Sequence, residues 1–341
     1  MIISKRRKTF LDLFPVPEFL LLSTTGVVIR DTDTRFVQLK RKIFGDGFEL
    51  VYAGKINNPK GAVESGLINN PNELSNILRE FSLLHNVRYV RASIPEERSY
   101  LFTVNIDWVP PEGLNDAVAF IIEENVPISL AESIFDFEVI REDKSAGGIK
   151  LAVSVLPKNI VNTYVNLFES AGMTPISFDL ESRAIARAVI SKGDKQTVLI
   201  INLSLKKTGF YVVEDGVVQF STILISGMGG GNSTNFEALL KEEMRKVITF
   251  WSTHADQTHS NSRDANKLMP QRRKIEKIIL HGFRGHKTDF TDALMSGSEI
   301  PYAPADVWLK TAYLKDYPSE MSSNESLGFA SAVGLVLPRG E

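Results

Sequence analysis

Two polar turns, each between apolar strands, hold the residues of this chain best placed to do chemistry. Residues 26–42 read GVVIRDTDTRFVQLKRK: an apolar strand through Val27, Val28 and Ile29, a turn from Arg30 to Thr34, and a second strand from Phe36 to Leu39. A hairpin of this outline can grip a phosphate. It needs glycine or small residues so that backbone N–H groups face the anion, and a carboxylate to position a metal or water. The first turn contains no glycine and carries Arg30 at its head. The second hairpin enters along Val198–Leu203, turns through Ser204–Thr208 and returns along Gly209–Val213, with Lys206 and Lys207 in the turn. Arginine suits phosphate, and cations in a cleft bind anions without a metal. Nucleotide binding without hydrolysis therefore stays open, whereas turnover needs a metal and a water-positioning group, and the turns name neither.

Other constellations are weaker. His254 and His259, and His281 and His286, are five apart, a spacing that shares neither a helix face nor a strand face, and no acidic cluster accompanies them. They read as isolated surface or loop histidines and predict no metal site. No GxSxG or P-loop motif occurs. The run Arg263, Lys267, Arg272, Arg273, Lys274 lacks aromatic interleaving, and the net charge is −2, so no nucleic-acid partner is expected. The absence of cysteine excludes disulfides and thiolate metal sites and permits a reducing compartment. Lys5, Arg6, Arg7 and Lys8 precede Phe10, Leu11, Leu13 and Phe14, but Asp12, Pro15 and Pro17 break that apolar run. Residues 1–18 read as a solvated tail with a few apolar residues on the body, with contact of the basic cluster to an anionic membrane surface as the alternative. No segment reaches the ~20 apolar residues of a membrane span.

The elements that must position the two turns follow from periodicity. A chain of 341 residues with 43% hydrophobic and 23% charged content suits a soluble protein of two domains or one bilobed domain. Strands are expected at Gly26–Ile29, Arg35–Arg41, Phe48–Ala53, Val87–Ser93, Arg98–Val104 and Phe135–Ile140. Pro71-Asn72-Glu73 opens a helix with Leu74, Ile77, Leu78, Phe81 and Leu84 at helical spacing. From Ile149 strands and helices alternate, which argues for a layered α/β sheet. The block from Val198, with its Asp215-Gly216 hairpin turn, repeats the strand–turn–strand–turn–strand shape of residues 26–53, so the fold reads as duplicated and two-lobed. A long helix spans Phe236 to Trp251, residues 252–274 read as a flexible connector, and NESLGFASAVGLVLP reads as an Ala- and Gly-rich helix suited to close packing.

In this order the pieces resemble the PilM family of type IV pilus assembly proteins, actin-like relatives of the division protein FtsA. FIIEENVPISLAESIFDFEVI (120–140) and LPKNIVNTYVNLFESAGMTPISFDLESRAIARAV (156–189) carry most of the match; the two hairpins and IEKIILHGFRG (275–285) fit by position, over roughly residues 20–335. The resemblance implies an α/β, actin-like (ribonuclease H-like duplicated) fold. Its first lobe would span 19–190, with an inserted α+β subdomain at about 50–145, and its second 191–341. It implies ATP in the interlobe cleft as the family cofactor, with Gly229, Gly230 and Gly231 bending around a phosphate and Gly282 and Gly285 lining the adenosine. Taken alone, those glycines read as a flexible loop and a strand-end turn. The implied partner is the cytoplasmic tail of a PilN-like inner-membrane protein, with pilus motor ATPases and a homo-oligomeric ring as further associations. The implied location is cytoplasmic and peripheral at the inner membrane.

This chain departs from the family where the phosphates sit. Relatives typically read DIGSSS in the first hairpin; here that Asp falls on Val28 and that Gly on Arg30, and in the second hairpin the Asp falls on Asn202 and the Gly on Ser204. Rescue by Asp31 or Asp33 needs a one-residue slip that turns every side chain to the other face. The long helix follows the glycine run almost directly, which predicts a trimmed smaller subdomain in the second lobe. The resulting expectation is a scaffold with no catalytic residues, no metal site and lost hydrolysis. Its alternatives are an active PilM- or FtsA-like ATPase and a membrane tether of the division type.

Overall fold

The computed structural model describes residues 23–42, 48–143, 148–191, 193–204, 206–225, 233–253, 257–259, 273–282, 288–307 and 327–338. The expectations placed on Lys5, Arg6, Arg7, Lys8, Gly229, Gly230, Gly231, Gly285, His254 and His286 lie outside the described residues.

Two five-stranded sheets repeat one topology. The first contains β1 (Thr24–Ile29), β2 (Asp33–Arg41), β3 (Phe48–Asn57), β6 (Tyr89–Ile94) and β10 (Thr174–Leu180), in the order β10-β6-β1-β2-β3. The second contains β11 (Val198–Leu203), β12 (Thr208–Glu214), β13 (Val217–Leu224), β15 (Lys277–Gly282) and β16 (Tyr302–Pro304), in the order β13-β12-β11-β15-β16. In each, three strands meander antiparallel and two more add in parallel beside the first. The Asp215-Gly216 turn is built as its sequence predicts: both residues have positive φ (53° and 78°), as the tight hairpin between β12 and β13 requires. The strand Val198–Leu203 is buried at every position, consistent with its unbroken apolar run.

Helices cover these sheets because their apolar positions fall on one face. The helix α1 (Pro71–His85) starts with Pro71 and with Asn70 capping the N–H of Glu73, ends at Asn86 in the left-handed region, and buries Leu74, Leu78 and Phe81. It packs with α3 (Lys158–Ser170) on the first sheet, where Tyr164, Leu167 and Phe168 join the same core. On the second sheet, α5 (Ser233–Thr253) and α6 (Thr288–Met295) bury Leu240, Met244, Trp251, Phe290 and Leu294.

Between the sheets lie two short helices, each following the fifth strand of its own sheet: α4 (Glu181–Val189) and α7 (Ala330–Val336). They share a core with Val28, Val37, Ile200, Tyr211 and Ile279, which come from both sheets. The crossing is close. A Cβ on Gly334 would lie 1.7 Å from the carbonyl oxygen of Ala184, and one on Gly26 2.2 Å from that of Ala332. The Ala- and Gly-rich C-terminal stretch therefore forms the close-packing helix that its composition predicts.

A third, four-stranded sheet stands apart from the two repeats. It contains β7 (Tyr100–Asp107), β8 (Ser133–Asp143), β9 (Gly148–Pro157) and β14 (Gln257–His259), in the order β14-β7-β9-β8, and α2 (Leu114–Asn125) packs on it. Residues 48–57 and 89–94 are strands of the first sheet, α1 covers it, and 63–64 pairs with 67–68 as a small separate ribbon, whereas the three consecutive strands of the third sheet run from Tyr100 to Pro157. Part of the expected connector at 252–274 is structured. Residues 252–253 end α5, and 257–259 pair in parallel with Val104–Ile106 of β7. Strand pairing uses backbone groups, which polar residues supply as well as apolar ones, so periodicity did not mark it.

Candidate functional site

The two polar turns are each closed by the same kind of backbone hydrogen bond, and their first residues meet. In the first, Arg30 N–H donates to the Asp33 carbonyl at 2.9 Å; in the second, Ser204 N–H donates to the Lys207 carbonyl at 3.0 Å. Arg30 and Ser204 are thus equivalent residues of the duplicated fold, and they touch: Arg30 Nη2 donates to Ser204 Oγ at 2.6 Å. Beside them Lys206 and Asp31 form a looser pair at 3.7 Å. Asn58 orders the first turn. Its N–H donates to the Thr32 carbonyl at 3.0 Å, its Nδ2 donates to the Arg30 carbonyl at 2.5 Å, and its Oδ1 accepts from Thr34 Oγ1 at 2.7 Å.

Carboxylates from the first lobe complete the cleft. β6 ends in a single 3-10 turn, Glu96–Arg98, and β10 runs directly into α4 at Glu181. Both sites are at the carboxyl ends of parallel strands, where α/β sheets place ligand groups. Lys207 crosses from the second lobe and binds both oxygens of Glu97, at 2.8 and 2.9 Å, with Glu181 Oε2 at 3.6 Å. Burial raises the Glu181 carboxyl pKa, but the charges of Lys207 and Arg30 outweigh it and hold the group below its ordinary value. Burial likewise lowers the Lys207 ammonium, and Glu181 and Glu97 more than offset this. Glu96 differs: among the described residues its partners are serine hydroxyl and amide groups, not cations. It accepts from Ser182 Oγ at 2.6 Å and Ser182 N–H at 3.2 Å, and burial pushes its carboxyl up to about 7.

The remaining candidates are placed as follows. Val28 is a core residue, 3% exposed, at the position where the resemblance sets an aspartate. Asn202 is buried and its Nδ2 lies 3.5 Å from Tyr211 Oη. Asp33 is taken by Arg35 at 2.6 Å; burial raises its pKa, and Arg35 and Arg30 bring it below the usual range. Gly282 ends β15 with φ +94°, and a Cβ there would lie 2.1 Å from the Leu203 carbonyl oxygen, so glycine lets two central strands close together. His281 is not a surface or loop residue. It sits in β15 beside Asn202 of β11, buried, and burial together with the Arg30 charge holds its imidazole down at about 3. Among the described residues no group of His, Asp or Glu is arranged to hold a metal ion. Sequence reasoning missed Glu96, Glu97 and Glu181 as members of the cleft. Their one local signal is position: SIPEE and DLES each follow a buried parallel strand.

Two sheets of one topology, joined by crossing helices and meeting at paired hairpin turns, define an actin-like two-lobed protein with an inserted α+β unit in the first lobe. The chain belongs to the PilM family of type IV pilus assembly proteins, whose model matches residues 26–236, more than half of its length. A solved PilM-PilN type IV pilus biogenesis complex is similar over 92% of this chain and 97% of that one, with a TM-score of 0.71 at 17% identity. A Bacteroides thetaiotaomicron protein with an actin-like ATPase fold (82% and 90% covered, TM-score 0.45, 9% identity) and the ethanolamine utilization protein EutJ of Carboxydothermus hydrogenoformans (94% and 90%, 0.44, 12%) are more distant. No curated protein matches the sequence.

Proposed function

We propose that this chain is an actin-like scaffold of a type IV pilus or related envelope assembly machine, that it binds the cytoplasmic tail of a PilN-like inner-membrane protein, and that its cleft has lost ATP hydrolysis. Family membership and the likeness to a PilM-PilN complex support the partner. The partner in turn would hold the protein at the inner membrane. We place the lobe boundary between α4 and β11, with the first lobe at 19–190 and a trimmed smaller subdomain in the second.

The loss of hydrolysis rests on one observation: Arg30 and Ser204 bond to each other across the space between the hairpins. A triphosphate between the turns would have to break that bond. It would also bring its negative charge to Glu97 and Glu181, whose cation, Lys207, comes from the protein itself. A metal ion would find Asp33 held by Arg35 and Asp31 facing Lys206. The residues present therefore do not fit a metal-bound triphosphate, and these pairings also weigh against an ATPase built on Asp31 or Asp33.

Titration of the protein with labelled ATP, with and without magnesium, tests this. The expected result is no magnesium-dependent binding and no steady release of phosphate. Tight magnesium-dependent binding with turnover would establish the active ATPase instead.

A further inference from the structure

The first sheet has two ends. The carboxyl ends of β1, β6 and β10 lead to the cleft, at Arg30, Glu96 and Glu181. The opposite end, the base of the first lobe, has another character. α1 ends there with Leu83, Leu84 and His85, and residues 86–88 lead into β6 at Tyr89, which pairs with Thr24 at the start of β1. Leu83 and Leu84 are 78% and 79% exposed, more than any other large apolar side chain among the described residues. β2 ends at the same base with Lys40 and Arg41, followed by Lys42. Contacts hold these parts together. His85 packs against the rings of Tyr52 and Phe81, with centroids 4.4 and 4.5 Å away. Tyr52 lies opposite Gln38 of β2, and Gln38 Nε2 donates to Ser23 Oγ. The chain preceding Ser23 therefore leaves the fold at this base, and its sequence pairs Lys5, Arg6, Arg7 and Lys8 with Phe10 and Leu11. On the fold itself Lys40, Arg41, Lys42 and Arg88 stand against Glu49, the register partner of Lys40, and Glu80 of α1. This end is thus positive in a chain whose net charge is −2. Protruding leucines beside basic residues suit an anionic lipid surface: the apolar side chains enter the headgroup region while Lys and Arg meet lipid phosphates.

We propose that the base of the first lobe is a membrane-contacting surface, at which Leu83, Leu84 and the basic residues around them bind an anionic bilayer directly, beside the point where the basic N-terminal segment leaves the fold. This contact does not depend on the membrane partner. It adds to the partner's hold, because a second attachment to the same membrane acts at high effective concentration. It also sets an orientation. The base meets the lipid and the cleft points away from it, since the two lie at opposite ends of the same strands.

Flotation of the full chain, without any partner, tests this against vesicles of phosphatidylethanolamine with phosphatidylglycerol and against vesicles of phosphatidylcholine alone. Binding to the anionic vesicles is expected to be about ten-fold tighter than to the neutral ones and to weaken as salt is raised. Two double variants, Leu83→Ser with Leu84→Ser and Arg41→Glu with Arg88→Glu, are each expected to bind about ten-fold more weakly at an unchanged melting temperature. Phe120→Ser, at a residue 64% exposed on α2, is expected to bind as the parent protein does. Failure of the parent protein to bind anionic vesicles overturns the proposal and leaves partner capture standing. Undiminished binding by either double variant overturns it too. Tighter binding after removal of residues 1–18 would make that segment a cover for the leucines. A dimer that dissociates on changing Leu83 and Leu84 would assign them to a second copy of the chain. Either of those results overturns the membrane surface.

Discussion

In one part of the seam between the lobes α4 and α7 cross through Ala184, Ala188, Ala332 and Gly334; in another, Arg30, Lys207, Glu97 and Glu181 meet through charge. Both join the lobes, by different physics. The crossing gains from apolar burial and dense packing, which neither pH nor salt disturbs directly. The charged contact removes ions from water, so each member depends on the others staying in place. Arg187 adds a polar contact to the crossing: it donates to the Gly334 carbonyl at 2.5 Å and pairs with Asp179. The contrast suggests a division of labour in which the apolar crossing sets the lobes together and the charged contact decides what the cleft admits.

The largest test of that contrast is Lys207→Ala. It leaves Glu97 and Glu181 buried without their cation, and breaking such a pair costs about 3–5 kcal/mol. The loss must depend on pH. With Lys207 present, the Glu181 pKa is depressed, so the group contributes stability above its unfolded value of about 4.5, and that contribution fades as pH falls through the folded pKa. Urea denaturation at pH 7.5 and pH 4 should therefore show a wide gap between parent and variant that narrows in acid. A constant gap would mean that packing, and not charge, is what Lys207 supplies.

Gly334→Ala comes next. Its new methyl group meets the Ala184 carbonyl, and overpacking of this kind costs about 1–3 kcal/mol. Here the loss should be the same at both pH values, and a pH-dependent loss would erase the distinction between the two parts of the seam. Glu96 supplies a test of opposite sign. Its folded pKa is raised to about 7, so its contribution is full below about 4.5 and is lost as pH rises through about 7, a change of at most about 3 kcal/mol. Glu96→Gln should flatten the decline in stability between pH 5 and 7.5, and an unchanged profile would place that titration elsewhere. Arg30→Ala removes a charge-assisted bond to Ser204 and one of the charges that hold Glu181 and Asp33 down, and should cost about 2 kcal/mol in chemical denaturation. Smallest of all, Lys206→Ala breaks a 3.7 Å pair whose lysine is 59% exposed, and melting curves should show no difference.

Much of the fold was legible because it depends on local pattern. The buried run Val198–Leu203, the one-sided apolar face of α1 and the Asp215-Gly216 turn are each specified by residues within a few positions of one another. The repeat of strand and turn shape between residues 26–53 and 198–223 was also visible, and the two sheets share one strand order. The cleft was legible only in part. That its hairpins lack the expected carboxylates could be read directly at Val28 and Asn202. That Arg30 spends its guanidinium on Ser204, 174 residues away, could not.

The sequence alone determined the succession of strands and helices, the duplication, the PilM-family character and the replacement of the expected hairpin aspartates by Val28 and Asn202, because each is written in neighbouring residues. Tertiary structure alone decided that Glu97 and Glu181 surround Lys207 and that His281 is buried and neutral beside Asn202. These are contacts between residues far apart in the chain. Their energies come from burial and from charges brought together by folding, and no local pattern of residue types records either.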